Sequence, residues 1–239
     1  MKKYYIKFSA TIIFFALINS EAFNQNKIFY IGASINYITE AKNFPFPNSS
    51  DITLKNLNFS TEYFFSYSLY FKYFLYENFF GRCDIEYLRF KAAVYYPFIF
   101  DNQNVAPKLY DDVLLAPVEL SIGYKLPFSD ETFDYVIGGG FGIYFSDMKR
   151  EIGDIKSIVK NKKLFYGIQT YASVGAKLYS FLKTYFEMKF RDPELIYKNK
   201  FQKIKGIWNG AEVKVLKDEF YSKINVNGLI FSIGFEFNI

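Results

Sequence analysis

The stretch GLIFSIGFEFNI, residues 228–239, decides the fold. Successive side chains of a β-strand point to opposite faces, so this segment separates into two interleaved strings. The string from Leu229 to Ile239 is apolar at every position, whereas the string from Gly228 to Asn238 is mostly small or polar. The alternation predicts a strand with one apolar face, and that face continues to the final residue.

Seven segments upstream share this period of two. Residues 113–125, for example, set Leu114, Ala116 and Val118 against Pro117 and Glu119. The complete set of predicted strands is 28–38, 62–75, 80–92, 113–125, 134–146, 164–177, 184–191 and 228–239. Each is close to the length of about 9–11 residues that a tilted strand needs to cross a bilayer. In residues 80–92 the alternation blurs near Arg89.

The connections between these segments alternate in length. Long connections fall around residues 39–60, 93–112, 147–163 and 192–217, and short turns fall near 76–78, 127–132 and 179–182. Long loops on one side and tight turns on the other, with both termini on the side of the turns, are typical of outer-membrane barrels. Pro117 lies inside a strand and lacks a backbone donor, so it predicts a bulge or a local break.

The placement of charge indicates which face meets lipid. Ionisable residues concentrate on one string, and the opposite string carries almost none; they are Glu62, Lys72, Arg82, Asp84, Glu86, Glu119, Glu187, Lys189, Arg191 and Glu236. A Lys or Arg facing lipid at the midplane costs about 2–4 kcal/mol, so the charged string is expected to point inward. We therefore predict an all-β fold, an eight-stranded antiparallel up-and-down transmembrane β-barrel. A soluble, lipocalin-like lipid-binding barrel of the periplasm, with its apolar string inside, is the alternative.

The first residues have the layout of a secretory signal peptide. Lys2, Lys3 and Lys7 precede an apolar stretch over residues 8–18, and Ser20-Glu21-Ala22 supplies small residues for cleavage. The stretch is shorter than the roughly 20 residues of a membrane-spanning helix. The predicted domains are therefore a signal peptide at 1–22, cleaved after Ala22, and an outer-membrane barrel at 23–239.

Over residues 27–239 the chain resembles the small eight-stranded outer-membrane proteins, a group that includes OmpA-type and OmpX-like barrels and related families of Bacteroidetes. The resemblance rests on FSIGFEFNI (231–239), on LAPVEL (115–120) leading into Gly123-Tyr124-Lys125, and on the glycine-rich strand 138–142. The terminal segment is similar to the signal that the barrel-assembly machinery recognises, although it ends on Ile rather than the commoner Phe. It implies an assembly signal formed by Phe231, Ile233, Phe235, Phe237 and Ile239.

Composition excludes several kinds of chemistry. The chain contains no His and a single Cys, Cys83, which removes His-based nucleophile pairs, His metal ligands and an internal disulfide. The net charge of +5 is small and its basic residues do not cluster, which argues against a nucleic-acid partner. We predict no catalytic residue, no enzymatic activity, no metal site and no cofactor.

Four groups of residues stand out as candidate sites. The first is a lumen charge network formed by Arg82, Asp84, Glu86, Glu119, Glu187, Lys189 and Arg191. This network could be an ion path or a charge-paired plug. We expect a plug, because side chains roughly fill the interior of an eight-stranded barrel. Gly138, Gly140 and Gly142 are expected to give room to bulky neighbours. Asp111-Asp112 is interpreted as part of a solvated loop. Trp208 with Lys203, Lys205 and Lys214 is interpreted as an ordinary exposed loop, with lipopolysaccharide phosphate as an alternative contact.

Three functions remain open on these patterns. The first is a structural, envelope or surface-interaction barrel with a side-chain-filled lumen. The second is a narrow transport barrel for small solutes, and the third is the soluble lipid-binding barrel. The expected location is the bacterial outer membrane. The expected partners are outer-membrane lipid, with lipopolysaccharide as one candidate, and the barrel-assembly machinery and periplasmic chaperones during biogenesis.

Overall fold

The computed structural model describes residues 29–160 and 164–239, apart from the side chains of residues 62 and 63. The predicted signal peptide and the Glu62 side chain lie outside the described residues. The described strands are β1 (Phe29–Phe44), β2 (Phe59–Tyr76), β3 (Phe79–Tyr95), β4 (Phe98–Phe100), β5 (Gln103–Val105), β6 (Lys108–Lys125), β7 (Phe133–Ile152), β8 (Ile155–Val159), β9 (Phe165–Tyr179), β10 (Leu182–Arg191), β11 (Glu194–Phe201), β12 (Lys205–Trp208), β13 (Ala211–Val215), β14 (Glu219–Asn225) and β15 (Leu229–Asn238). One short helix, α1 (Ile52–Asn56), begins after Asp51, whose side chain accepts a hydrogen bond from the Thr53 N–H.

Eight of these strands close a ring of antiparallel pairs in the order β1-β2-β3-β6-β7-β9-β10-β15. Strand β15 closes the ring against β1, with Ile31 opposite Phe237 and Ile35 opposite Ile233. These eight strands are the eight predicted segments, so the predicted fold class is confirmed. Closure satisfies every strand edge, which is what a sheet surrounded by lipid requires.

Five of the barrel strands are much longer than a bilayer crossing requires, since β1, β2, β3, β6 and β7 contain 16 to 20 residues. Beyond the ring they pair with shorter strands that lie within the long connections. We call the end of the barrel that carries the long connections the upper end. Strand β7 pairs with β8, β8 with β11, β11 with β14, and β14 with the upper end of β1. A second ring thus shares β1, β2, β3, β6 and β7 with the first. A separate four-stranded sheet, in the order β12-β13-β4-β5, lies beyond it.

The inner face of the wall changes character along its length. On β3 the inward residues Arg82, Asp84 and Glu86 are followed by Leu88 and Phe90, and all five are buried. On the outer face the apolar residues end at Tyr87, and Arg89 and Lys91 follow. The lower half is therefore polar inside and apolar outside, whereas the upper half encloses a hydrophobic core. The blurred alternation near Arg89 marks this exchange.

The expectation for Pro117 is met by a local break, with no bulge. The β3–β6 ladder pairs Ile85 with Val118 and then Leu88 with Leu115, and it skips the two positions between without a shift of register. Against β7, Pro117 remains paired with Tyr144. Because proline has no N–H, the ladder with β3 is interrupted at this point, whereas the ladder with β7 continues through it.

Candidate functional site: a charged plug across the lumen

Strands β3 and β10 place complementary charges on opposite walls of the barrel. Each is four strands from the other in either direction around the ring, and both run from the short turns toward the long connections. Along the inner face β3 presents Arg82, Asp84 and Glu86, and β10 presents the opposite charges in the same order; the β10 residues are Glu187, Lys189 and Arg191. The two series therefore meet at matching heights.

Ion pairs join the two series through the lumen. The Arg82 guanidinium donates to both carboxylate oxygens of Glu187. The Lys189 Nζ lies 3.6 Å from Asp84 Oδ1. Arg191 Nη1 donates to Glu86 Oε2 over 2.6 Å. Each of these pairs crosses the full width of the barrel.

Glu119 on β6 adds a fourth carboxylate, directly opposite Asp84 on the neighbouring strand. Two like charges at opposed positions destabilise a sheet unless a cation separates them. Lys189 supplies that cation, since its Nζ donates to Glu119 Oε2 over 3.0 Å. Tyr144 OH also donates to Glu119, over 2.8 Å. Arg82 also pairs with Asp84, and Arg191 lies 3.8 Å from Glu119, so the sequence-predicted residues form one connected cluster of three cations and four carboxylates.

Hydroxyl and amide groups extend the cluster toward β1. Ser66 donates to Glu86 over 2.5 Å, and Asn36 donates to Ser66 over 3.0 Å. Nearer the short turns, Lys72 pairs with Glu236 at 2.5 Å, and Tyr70 donates to the same carboxylate over 2.7 Å. A cavity of only about 30 Å³ remains at this end of the lumen, which has room for about one water.

Small residues on the inner face make room for the rings that surround the plug. A Cβ atom on Gly138 would lie 2.3 Å from the Tyr171 ring, and one on Gly32 would lie 2.1 Å from the Tyr70 ring. The Arg82 guanidinium lies over both rings, at 4.1 Å from the Tyr70 centroid and 4.9 Å from the Tyr171 centroid. Glycine therefore provides the space in which the aromatic rings flank this cation.

A separate buried ion pair lies in the upper half, where the sequence indicated a solvated loop. Asp111 is fully buried in β6 and accepts two hydrogen bonds of 2.7 Å from Arg150 on β7. Asn43 also donates to Asp111, over 3.0 Å. The interpretation of Asp111 as a solvated residue was wrong because β6 continues above the membrane and turns this position inward. Asp112 faces outward and pairs with Arg89.

The remaining candidates lie in or just before the β12–β13 hairpin, which packs on the upper hydrophobic core through Trp208, and on the last strand. Trp208 packs edge-on against Phe98 and Phe100 in the upper sheet. Lys203 pairs with Asp154, and Lys205 pairs with Glu212. The five residues of the predicted assembly signal lie on the outer face of the last strand and at its end; they are Phe231, Ile233, Phe235, Phe237 and Ile239.

The described residues contain no group of three or more His, Cys, Asp or Glu side chains arranged to hold a metal ion. In the same part of the chain, no helix is both long and apolar enough to cross a membrane.

The outer surface of the lower ring is a continuous apolar band. The solvent-exposed fraction of representative residues in this band is 54% for Ile35, 62% for Tyr67, 62% for Ile122, 65% for Ile168 and 64% for Ile233. A soluble lipid-binding barrel would place such side chains inside, whereas this lumen holds charged groups. An apolar band around a closed ring, with short turns on one side and long connections on the other, defines an outer-membrane β-barrel protein. Its location is the bacterial outer membrane.

Solved structures with this fold include OprG, an outer membrane protein of Pseudomonas aeruginosa, which is 11% identical. The match covers 90% of this chain and 97% of that one, with a TM-score of 0.59. Neisserial surface protein A is 15% identical over 87% of this chain and 96% of its own, with a TM-score of 0.41. Ail, the attachment invasion locus protein of Yersinia pestis, is 6% identical over 90% of this chain and 100% of its own, with a TM-score of 0.40. No family model and no curated protein sequence matches the chain.

Proposed function

We propose that this protein is a sealed outer-membrane barrel with a structural or surface-interaction role, whose working surface is the β-structure that rises above the membrane. The observation that carries the proposal is the plug. Arg82–Glu187 and Glu86–Arg191 connect opposite walls of the lumen. A solute would have to separate these buried pairs to pass, which would leave charges in the lumen without their partners.

The upper half supports a role at the surface. Strands β8, β11 and β14 continue the barrel wall beyond the membrane, and the sheet β12-β13-β4-β5 extends it further. This wall encloses buried side chains such as Leu88, Val113, Met148 and Leu195. A folded platform of this kind holds its outer residues at defined positions, which a mobile loop does not.

Conductance in planar bilayers tests the sealed lumen. We expect the purified, folded protein to show no stable openings in the nanosiemens range, because side chains fill an eight-stranded interior. The double variant Arg82→Ala, Glu187→Ala removes one cross-lumen pair and leaves Lys189 as the cation beside Asp84, and it should allow small openings. Nanosiemens channels in the unaltered protein would contradict the proposal.

A deletion strain separates the structural form of the proposal from the surface form. Complementation with the full chain is compared with a variant in which a short Gly-Ser turn replaces the β12–β13 hairpin, residues 205–215. If the role is structural, the full chain and the variant should both restore detergent resistance, because this hairpin is not part of the ring of eight strands that spans the membrane. If the role is surface interaction, only the full chain restores the surface phenotype of the strain. Failure of both chains to restore either phenotype would contradict both forms.

A second candidate is the transport of small apolar solutes. The interior above the plug favours it, because Phe64, Leu88, Phe90 and Ile224 form an apolar environment there. Uptake of a small apolar solute by the deletion strain tests this candidate. Equal uptake with and without the protein would exclude transport, whereas reduced uptake in the deletion strain would favour it over the sealed barrel.

We propose a relationship to the OmpA- and OmpX-like barrels, supported by the ring of eight strands and its short turns, and a non-catalytic role. We further propose that the barrel-assembly machinery recognises β15 through its outward residues. Replacing Phe235 and Phe237 with Asn should lower the yield of folded, heat-modifiable protein in the outer membrane. The same replacement of Phe128 and Phe181, which lie in the short turns, is the matched control.

A further inference from the structure

The outer surface of β3, β6 and β7 changes from apolar to charged in successive rows. The register pairs Ala116 with Phe145 and places Tyr87 on the other side of Ala116, so one row is wholly apolar. The next row contains Arg89, Leu114 and Asp147, and the row above it contains Lys91, Asp112 and Lys149. These rows mark the outer boundary of the apolar band on this wall.

Two depressions meet at Tyr87 on this wall. Beside and below it lies an apolar groove of about 1220 Å³, which begins at Ala116 on β6 and Tyr87 on β3 and extends across β2 and β1 to β15 and β10. Above it lies a depression of about 170 Å³, lined by Tyr87, Arg89, Asp112, Leu114, Asp147 and Lys149. Ala116 stands between the larger Tyr87 and Phe145 side chains and leaves a notch between them. The two depressions, together called the recess, share the Tyr87 side chain; the surface is apolar below this side chain and charged above it.

The charged rows hold more positive than negative charge. Arg89, Lys91 and Lys149 face Asp112 and Asp147, which leaves an excess of one positive charge. Arg89 donates to Asp112 through Nε and Nη2, over 3.0 and 2.6 Å, yet its side chain is 61% exposed. The exposed Lys91 and Lys149 lie in register on either side of Asp112. Among the described residues neither lysine has a carboxylate of its own.

We propose that this recess binds a phosphate-bearing lipid of the outer leaflet. The acyl chain lies in the groove beside Ala116, and the phosphate contacts Arg89, Lys91 and Lys149. The order of the two environments matches the order of the two parts of a lipid, and long basic side chains at a membrane boundary reach toward the headgroups. Charge complementarity favours phosphate over a zwitterionic headgroup. The inference rests on the outer-membrane barrel alone and holds whether or not the upper platform binds a partner.

Native mass spectrometry of the full chain in neutral detergent tests the proposal. The probes are lauroyl lysophosphatidic acid, lauroyl lysophosphatidylcholine and inorganic phosphate. We expect one molecule of lysophosphatidic acid to bind at concentrations where the choline lipid does not. The double variant Lys91→Gln, Lys149→Gln should weaken binding by about tenfold or more, since each basic residue near a charged lipid surface contributes roughly fivefold.

Two further variants keep the outcome interpretable. Lys200→Gln with Lys205→Gln removes the same charge far above the band and should leave binding unchanged. Ala116→Phe fills the notch and should weaken binding of the lipid while all three basic residues remain. Each variant is first shown to be folded by its heat-modifiable mobility on gels.

Three results would overturn the proposal. Equal loss in the control pair would show that only total charge matters, and unchanged binding in the Lys91, Lys149 variant would show that the phosphate lies elsewhere. Binding of inorganic phosphate as tight as that of the lipid, together with no effect of Ala116→Phe, would identify a free-phosphate site instead. Purified lipid A, tested in the same way, then shows whether the phosphate lipid of the outer leaflet occupies the recess.

Discussion

Arg191 illustrates what a buried charge requires in this barrel. Its side chain is fully buried, and its guanidinium reaches across the lumen to Glu86 and lies 3.8 Å from Glu119. Removing a charge from water is costly, and a buried pair recovers that cost only when its partners are well placed. The complementary order on β3 and β10 places a cation opposite a carboxylate at three successive heights.

Substitution of Arg191 by Met should therefore destabilise the protein strongly. Glu86 would be left buried without its main cation, at a cost of about 3–5 kcal/mol. The free energy of unfolding in urea, measured in lipid vesicles, gives this cost. The folded fraction at each urea concentration is read from its heat-modifiable mobility on gels. Arg89→Met is the matched control, because it breaks an exposed arginine–carboxylate pair and should change the stability little. Equal effects of the two variants would show that the plug does not stabilise the barrel.

At the scale of elements, β8, β11 and β14 continue the wall beyond the membrane through side-chain and backbone contacts. Glu219, the first residue of β14, forms ion pairs with Lys160 at 2.5 Å and with Lys198 at 2.9 Å. The hydrogen bonds from Lys160 and Lys198 lower the pKa of the Glu219 carboxyl to about 2. Because this pKa is lower in the folded state, the charged carboxylate stabilises the folded upper wall above its ordinary pKa of 4.5.

This stabilisation should disappear as the pH falls from about 4.5 to about 2, as Glu219 becomes protonated. Limited pepsin cleavage of the barrel in vesicles over this range measures the opening of the upper strands. We expect cleavage between residues 194 and 225 to increase more steeply with acid in the unaltered protein than in Glu219→Gln. Glu212→Gln removes a different exposed carboxylate and is the control. The same acid profile in Glu219→Gln and the unaltered protein would contradict this role.

At the scale of the whole molecule, two rings share five strands but meet different solvents. The lower ring has lipid outside and a charged interior, and the upper ring has water outside and an apolar interior. On β3 the outer face carries Cys83 and Ile85 in the first ring and Arg89 and Lys91 in the second. Each face thus carries the side chains that its own surroundings favour.

Arginine substitutions along this one face locate the band. Cys83→Arg should destabilise the protein in a bilayer by about 2–4 kcal/mol, the cost of a basic residue at the lipid midplane. Ala93→Arg, on the same face of the same strand but above the band, should change the stability little. Cys83→Leu controls for loss of the native side chain. Urea unfolding in vesicles gives the three values, and a similar cost at positions 83 and 93 would contradict the placement of the membrane.

The local sequence pattern determines the membrane strands of this fold, whereas other parts of it depend on the tertiary structure. The alternation in GLIFSIGFEFNI and in the seven segments upstream, with charge on one string, predicts the eight membrane strands. The prediction succeeds because side chains that face lipid are apolar. The same pattern was missed in residues 194–201, where Leu195, Tyr197 and Phe201 are buried and Lys198 faces outward. There the apolar face points inward, and alternation alone does not show the direction.

Pairing across the lumen was decided only by the tertiary structure. The seven charged residues of the plug could be recognised by their shared parity, but Arg82 and Glu187 are separated by 105 positions in the chain. Which strands lie opposite each other depends on the number of strands in the closed ring and on its register, a property of the whole sheet. Asp111 shows the same limit, since its burial depends on β6 continuing above the membrane. The terminal strand by itself determines which of its faces is apolar, and only closure against β1 makes that face part of a barrel wall.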